Sequence, residues 1–304
     1  MRSVFLPQKL EELWPRLEDP SVSLYAGGTD LLVRLREGTL KAGNLVCLER
    51  LAELKEVEDL GDAIRIGALC THTQLLADPL VGRHFPVLIQ SLRSLGSPPI
   101  RHQGTIGGNI GTASPAGDTL GPLYVLQAEV VLRTRETARR LPIQDFIQGP
   151  GQTGLKRGEI IAEVRVPKAP AFNRHHYEKV GQRRALAIAV AGLAVLMRVS
   201  EDQTIEDVRL AWGSVGPTVV TSAAVEALLR GRPLSREVLR QASDLARQTV
   251  APIDDLRASA DYRREVAGNL LRRLHRYSPS AIQPEDDLSL SPHPPAGGKG
   301  GVRR

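Results

Sequence analysis

A chain of 304 residues has room for two domains or one large one, and 41% apolar with 24% charged residues is the balance of a globular protein. Aromatic residues at 4% are too few for a stacking groove, and the net charge of +6 is spread along the chain, so a nucleic-acid or carbohydrate track is excluded. Two cysteines without a CxxC pair, Cys47 and Cys70, exclude a disulfide framework and a resident iron–sulfur cluster; both lie in apolar runs and read as small core residues.

Residues 7–18 carry Leu10, Leu13 and Leu17 at helical spacing. Val22–Ala26 reads as a strand ending on Gly27 and Gly28, after which Thr29 is placed to cap a helix bearing Leu31, Leu32 and Leu35 that stops at Gly38. Strands follow at 44–48 and 63–68, then helices at 72–77 and 85–94. The segment 97–121, rich in Gly, Pro, Ser and Thr, reads as a long functional loop. Glu129–Arg133 and Glu163–Val166 are strands. The arginine clusters at 133–140 and 272–276 read as solvated faces of a strand and a helix.

Pro167–Pro170 breaks the composition and marks a linker. Beyond it His176–Val180, Ala187–Ser200 and Thr204–Val215 form an antiparallel set, followed by helices at 218–230, 235–249 and 259–276. Residues 279–304, with five prolines and four glycines, have little to pack and are expected to be a disordered tail. Strands and helices without strict alternation define an α+β protein.

No general base, nucleophile pair or metal-ligand spacing stands out, so neither catalytic residues nor a metal site are assigned. The opening residues lack a signal-peptide apolar stretch and no run reaches membrane-spanning length; a cytoplasmic protein is expected, with neither a membrane nor a nucleic acid as partner.

The chemistry concentrates in two glycine-bearing segments. YAGGTDLL (Tyr25–Leu32) sends a strand through Gly27 and Gly28 into a helix, which offers free backbone N–H groups to an anion. Alone, a tight strand–helix turn explains it equally well. GTIGGNIGTASPAGD (Gly104–Asp118) sets Gly107 and Gly108 where positive φ would converge N–H groups into an anion nest, with Thr105 and Asn109 as side-chain donors and Thr112 and Ser114 close by. The Asp118 carboxylate would be repelled by a phosphate, so it suits hydroxyl groups; an Asx turn capping the next helix is the other reading.

YAGGTDLL together with IRHQGTIGGNIGTASPAGD, GEIIAEVRVP (158–167) and YEKVGQRRALAIAVAG (177–192) resembles the FAD-binding medium subunit of the molybdenum hydroxylases, the xanthine dehydrogenase and carbon monoxide dehydrogenase family. The resemblance covers residues 1–278. It implies a two-subdomain FAD-binding domain of the molybdopterin dehydrogenase (PCMH-like) type over 1–169, and a smaller α+β domain with a three-stranded antiparallel sheet over 173–278. It implies FAD held by Leu24, Tyr25, Ala26, Gly27, Gly28, Thr29, Asp30 and Leu31 and by Thr105, Ile106, Gly107, Gly108 and Asn109. Ser114 would also contact the cofactor and Asp118 would hold the ribityl chain, with Leu95, Ile161 and Lys179 near the isoalloxazine; Lys179 is otherwise an edge-strand surface lysine. Arg183 and Arg184 would border the flavin or the nicotinamide pocket, or make an interface ion pair. The implied role is electron transfer from the [2Fe–2S] clusters of a small subunit, fed by a molybdenum-cofactor large subunit, through FAD to an acceptor such as NAD, in a heterotrimer that dimerises. A self-sufficient flavin oxidase or reductase and a flavin-free scaffold are the competing functions.

Overall fold

The computed structural model describes residues 3–40, 43–183 and 186–276. Its N-terminal part holds two larger sheets and a two-stranded one, Ile147–Gly149 with Gln152–Thr153. Val4–Phe5, Leu45–Cys47 and Ser23–Tyr25 form a parallel sheet with Leu45–Cys47 in the middle. Central position explains why Leu45, Val46 and Cys47 are all buried. Val57–Asp59, Ala63–Gly67, Ile160–Pro167, Glu129–Arg133 and Ala138–Pro142, in that order, form a five-stranded antiparallel sheet.

Ile160–Pro167 carries a bulge between Ile161 and Glu163. A bulge shifts which side chains face which way. Ile160 and Ala162 accordingly join the N-terminal core with Leu10, Leu13 and Leu69, whereas Ile161, Val164 and Val166 pack toward the main core.

The C-terminal part is a three-stranded antiparallel sheet, Arg174–Gly181, Ala189–Val199 and Ile205–Gly213, with helices Ala223–Leu229, Arg236–Thr249 and Ala260–Arg273. The helices start on Ser222, Ser235 and Ser259, each accepting a backbone N–H three residues on. The central strand is buried on both faces, which is why its sequence, AVAGLAVLM, runs apolar without alternation. Ala194 and Leu196 face the main core, while Leu193, Val195 and Met197 face the helices. Arg263 is 1% exposed yet donates to Val190 O, Ser214 O and the Asp255 carboxylate at 2.6 Å, tying the last helix to the sheet.

The α+β architecture and the three-stranded C-terminal sheet stand as expected. Several local expectations do not. Residues 7–18 form a single α-turn, Leu10–Leu13, tightening to a 3₁₀ segment Trp14–Glu18, because Pro15 has no N–H to continue the α pattern. Thr29 does not cap the next helix, Leu31–Arg36; Asp30 occupies the cap position without a side-chain cap bond. The supposed loop 97–121 is mostly helical: Pro98–Gln103, Ile106–Thr112 and Leu120–Val125. Strands Val4–Phe5, Val57–Asp59, Ala138–Pro142, Ile147–Gly149 and Gln152–Thr153 went unread. Cys47 and Cys70 are buried free thiols, as expected. Arg184 and the 279–304 tail lie outside the described residues. Among the described residues no helix is long and apolar enough to cross a membrane.

Candidate functional site

Strand Ser23–Tyr25 delivers the chain to Ala26, Gly27 and Gly28 at the carboxyl end of the parallel sheet. Gly28 has φ +70°, the left-handed turn that glycine adopts without strain. Gly27 lies flat against the end of helix Pro98–Gln103: a β-carbon there would stand 1.7 Å from the Gln103 carbonyl oxygen. The two glycine segments, far apart in sequence, therefore meet backbone to backbone. Among the described residues the amides of Gly27, Gly28, Thr29 and Asp30 have no hydrogen-bond partner, and all four residues are only half-buried.

These amides open on a cleft of about 430 Å³, within the range of small-molecule sites. Of the sequence-predicted residues, Leu24, Tyr25, Ala26, Gly27, Gly28, Thr29, Asp30, Leu31, Thr105, Gly107, Gly108, Asn109 and Ile161 line it. Their apolar members shield the space, and burial pushes the Tyr25 phenol up to about 12, so it stays a neutral hydroxyl at any ordinary pH. Arg34 and Asp30, 3.7 Å apart, supply a weak, half-exposed ion pair at the rim.

The second glycine segment works differently from the expected nest. Gly107 and Gly108 have helical rather than positive φ, in the first turn of Ile106–Thr112. Its amides are already spent: Ile106 N–H on Cys70 O at 3.0 Å, Gly107 N–H on Ala68 O at 2.9 Å, and Gly108 N–H on Thr105 Oγ1 at 3.0 Å. Asn109 Oδ1 accepts from Thr119 Oγ1 at 2.6 Å. Gly107 is needed for close approach, since a β-carbon would meet Ala68 Cβ at 2.6 Å and Ala68 O at 2.8 Å. Gly107→Val is thus expected to pry the helix off the cleft floor at a cost of about 1–3 kcal/mol, read as a lower urea midpoint; an unchanged midpoint would refute the packing.

Five predicted residues are not on the cleft wall. Ile106 and Leu95 are core side chains. Ser114 lines a separate hollow beside Leu186, Ile253 and Leu256. Asp118 and Lys179 are consumed by each other: Lys179 Nζ donates to Asp118 Oδ2 at 2.7 Å and to Ser94 O at 2.8 Å, while Tyr177 donates its hydroxyl to Asp118 Oδ1 at 3.0 Å. Their side chains are 10% and 8% exposed. Burial pushes the Asp118 carboxyl up, against the pull of Lys179 and Tyr177. Neither free reading holds in this arrangement: Asp118 is not an Asx-turn cap on Leu120–Val125, whose cap position Thr119 fills, and Lys179 is not a surface lysine. Arg183 donates to Leu186 O at 2.9 Å.

Sequence reasoning missed Arg34, Leu48, Ala68, Leu69, His72, Leu155 and Ile160 on the cleft wall. Ala68 and Leu69 follow directly from the strand Ala63–Gly67, and their small-then-large pair before a buried Cys70 was the available signal. The cleft continues past Ala26, Gly27, Leu69 and Thr105 into a more polar hollow of about 640 Å³.

The family profile for the FAD binding domain in molybdopterin dehydrogenase matches residues 1–169, and the profile for the CO dehydrogenase flavoprotein C-terminal domain matches 176–278. The chain belongs to this family, the FAD-binding medium subunits of the molybdenum hydroxylases, and is an oxidoreductase subunit with FAD as its cofactor. It is 30% identical over 276 residues to the nicotinate dehydrogenase FAD-subunit of Eubacterium barkeri, covering 89% of this chain and 93% of that one. It is 31% identical over 250 residues to the carbon monoxide dehydrogenase medium chain of Hydrogenophaga pseudoflava, covering 82% and 86%. The solved carbon monoxide dehydrogenase of Hydrogenophaga pseudoflava that lacks the Mo-pyranopterin moiety superposes with a TM-score of 0.85 at 30% identity, over 90% of this chain and 95% of that one.

Proposed function

We propose that this flavoprotein takes electrons from the [2Fe–2S] clusters of a small partner subunit, which a molybdenum-cofactor large subunit reduces, and passes them through FAD to an acceptor such as NAD. In this reading residues 1–169 hold the cofactor and 173–278 form the second domain. The assembly is a heterotrimer, dimerised, in the cytoplasm. With only Cys47 and Cys70, both buried, the clusters have to come from another chain.

The observation that carries the reading is the row of unpartnered amides from Gly27 to Asp30 at the mouth of an apolar cleft. Such amides suit a diphosphate. Tyr25, Leu31, Leu155, Ile160 and Ile161 would exclude water from the rest of the cofactor. FAD supplies the redox chemistry once bound, and the chain supplies position and electrostatics. Leu95, Asp118 and Lys179 act from behind the cleft, where the Lys179–Ser94 bond fixes the chain leading into Leu95.

The test is purification of the chain alone and with its partners. A yellow protein with about one FAD per chain, reduced by the iron–sulfur partner and reoxidised by NAD, is the expected result. A colourless chain that refuses added FAD overturns the cofactor assignment; a yellow chain that turns over substrate unaided overturns the electron-transfer role.

A further inference from the structure

His72 opens the helix His72–Ala77, where Thr71 and Gln74 form a reciprocal capping box. The cap fixes the backbone on which the imidazole sits. His72 N–H also donates to Gly104 O at 3.0 Å, and Thr71 bridges to Thr105, so the residue is strapped to the second glycine segment. Its ring is 2% exposed. Neither ring nitrogen has a hydrogen-bond partner among the described residues, and Nδ1 is sealed from solvent.

A buried polar group without a partner is uncommon and calls for a physical account. Burial first, and the charge of Arg101 second, push the imidazole down to about 4, so it is neutral around pH 7. Two further observations give it a direction. His72 belongs to the wall of the cleft, together with Gly104, Thr105 and Gly27. Gly104 also makes room for it, since a β-carbon there would meet His72 Cδ2 at 3.0 Å and Nε2 at 3.2 Å. The Nε2–Cδ2 edge thus lies against Gly104, the backbone that meets Gly27.

We propose that His72 is a cofactor-holding residue: the Nε2–H of its neutral imidazole donates a hydrogen bond to the diphosphate of FAD that the amides of Gly27 to Asp30 also hold. This rests on the cleft being the FAD site. A neutral ring suits the position, since it contributes direction without adding a buried charge that the empty protein would have to stabilise.

The test uses the full-length chain, stripped of flavin and titrated with FAD by quenching of flavin fluorescence. His72→Ala and His72→Gln are compared with the wild type, with melting curves to verify folding. His72→Ala is expected to weaken FAD binding about tenfold, the effect of losing one buried hydrogen bond, and His72→Gln to recover part of it. In the wild type, the ¹⁵N resonances of the His72 ring are expected to shift on adding FAD, and the ³¹P resonances of bound FAD to differ between wild type and His72→Gln. Folded variants that bind FAD as tightly as the wild type, with ³¹P resonances unmoved, overturn the role of His72. A wild-type chain that takes up no FAD overturns the cleft assignment itself.

Discussion

Gly27→Ala is expected to strip the chain of flavin and to lower its unfolding midpoint more than any other single-methyl change in the two glycine segments. The added carbon would stand 1.7 Å from the Gln103 oxygen, 2.3 Å from its carbonyl carbon and 3.1 Å from Gly104 N, all backbone atoms that no rotamer change can move aside. The segments have to separate, at a cost of about 3 kcal/mol, the upper end of ordinary overpacking. Separation also spoils the cleft, because Gly27 and Gly104 both line it. Gly82→Ala is the control: Gly82 lies in the helix Pro79–His84 with open space where the methyl would go. It should be neutral or slightly stabilising. Flavin-to-protein ratio and urea midpoint report both effects, and a Gly27→Ala protein that keeps its flavin and its midpoint would contradict the backbone contact.

Asp118→Asn should be strongly destabilising. It leaves the Lys179 ammonium, 8% exposed, without its counter-charge. Removing one member of a buried pair costs about 3–5 kcal/mol, whereas removing both with apolar replacements is often close to neutral. The double variant Asp118→Leu with Lys179→Met should therefore recover much of the loss, a coupling that the double-mutant cycle measures. Equal urea midpoints for Asp118→Asn and the wild type would show that the pair does not hold the wall behind Ser94 and Leu95.

What was legible in the sequence follows from which interactions are local. The strand Glu129–Arg133 and the helix His72–Ala77 announce themselves by periodicity and caps. Ala138–Pro142 does not, because ARRLP is an edge strand whose arginines are satisfied by Glu129 and Glu159, partners that composition cannot reveal. The helix Ile106–Thr112 carries Gly107, Gly108 and Gly111, and intrinsic propensity argues against it. It forms because Gly107 and Gly111 allow close packing on Ala68 and Ile161, a tertiary gain that outweighs a local cost. The free amides that follow Gly27 are legible because that turn is written in glycine, whereas the same composition at Gly107 and Gly108 makes a closely packed helix start with spent amides. The mutual neutralisation of Asp118 and Lys179, 61 residues apart, was hidden, and so was the orientation of His72.

The central strand of the C-terminal sheet has one face in each of the two larger cores. An element coated on both sides is a shared beam. Neither half of the molecule has a complete interior without it, so the two cannot swing as rigid shells about a hinge.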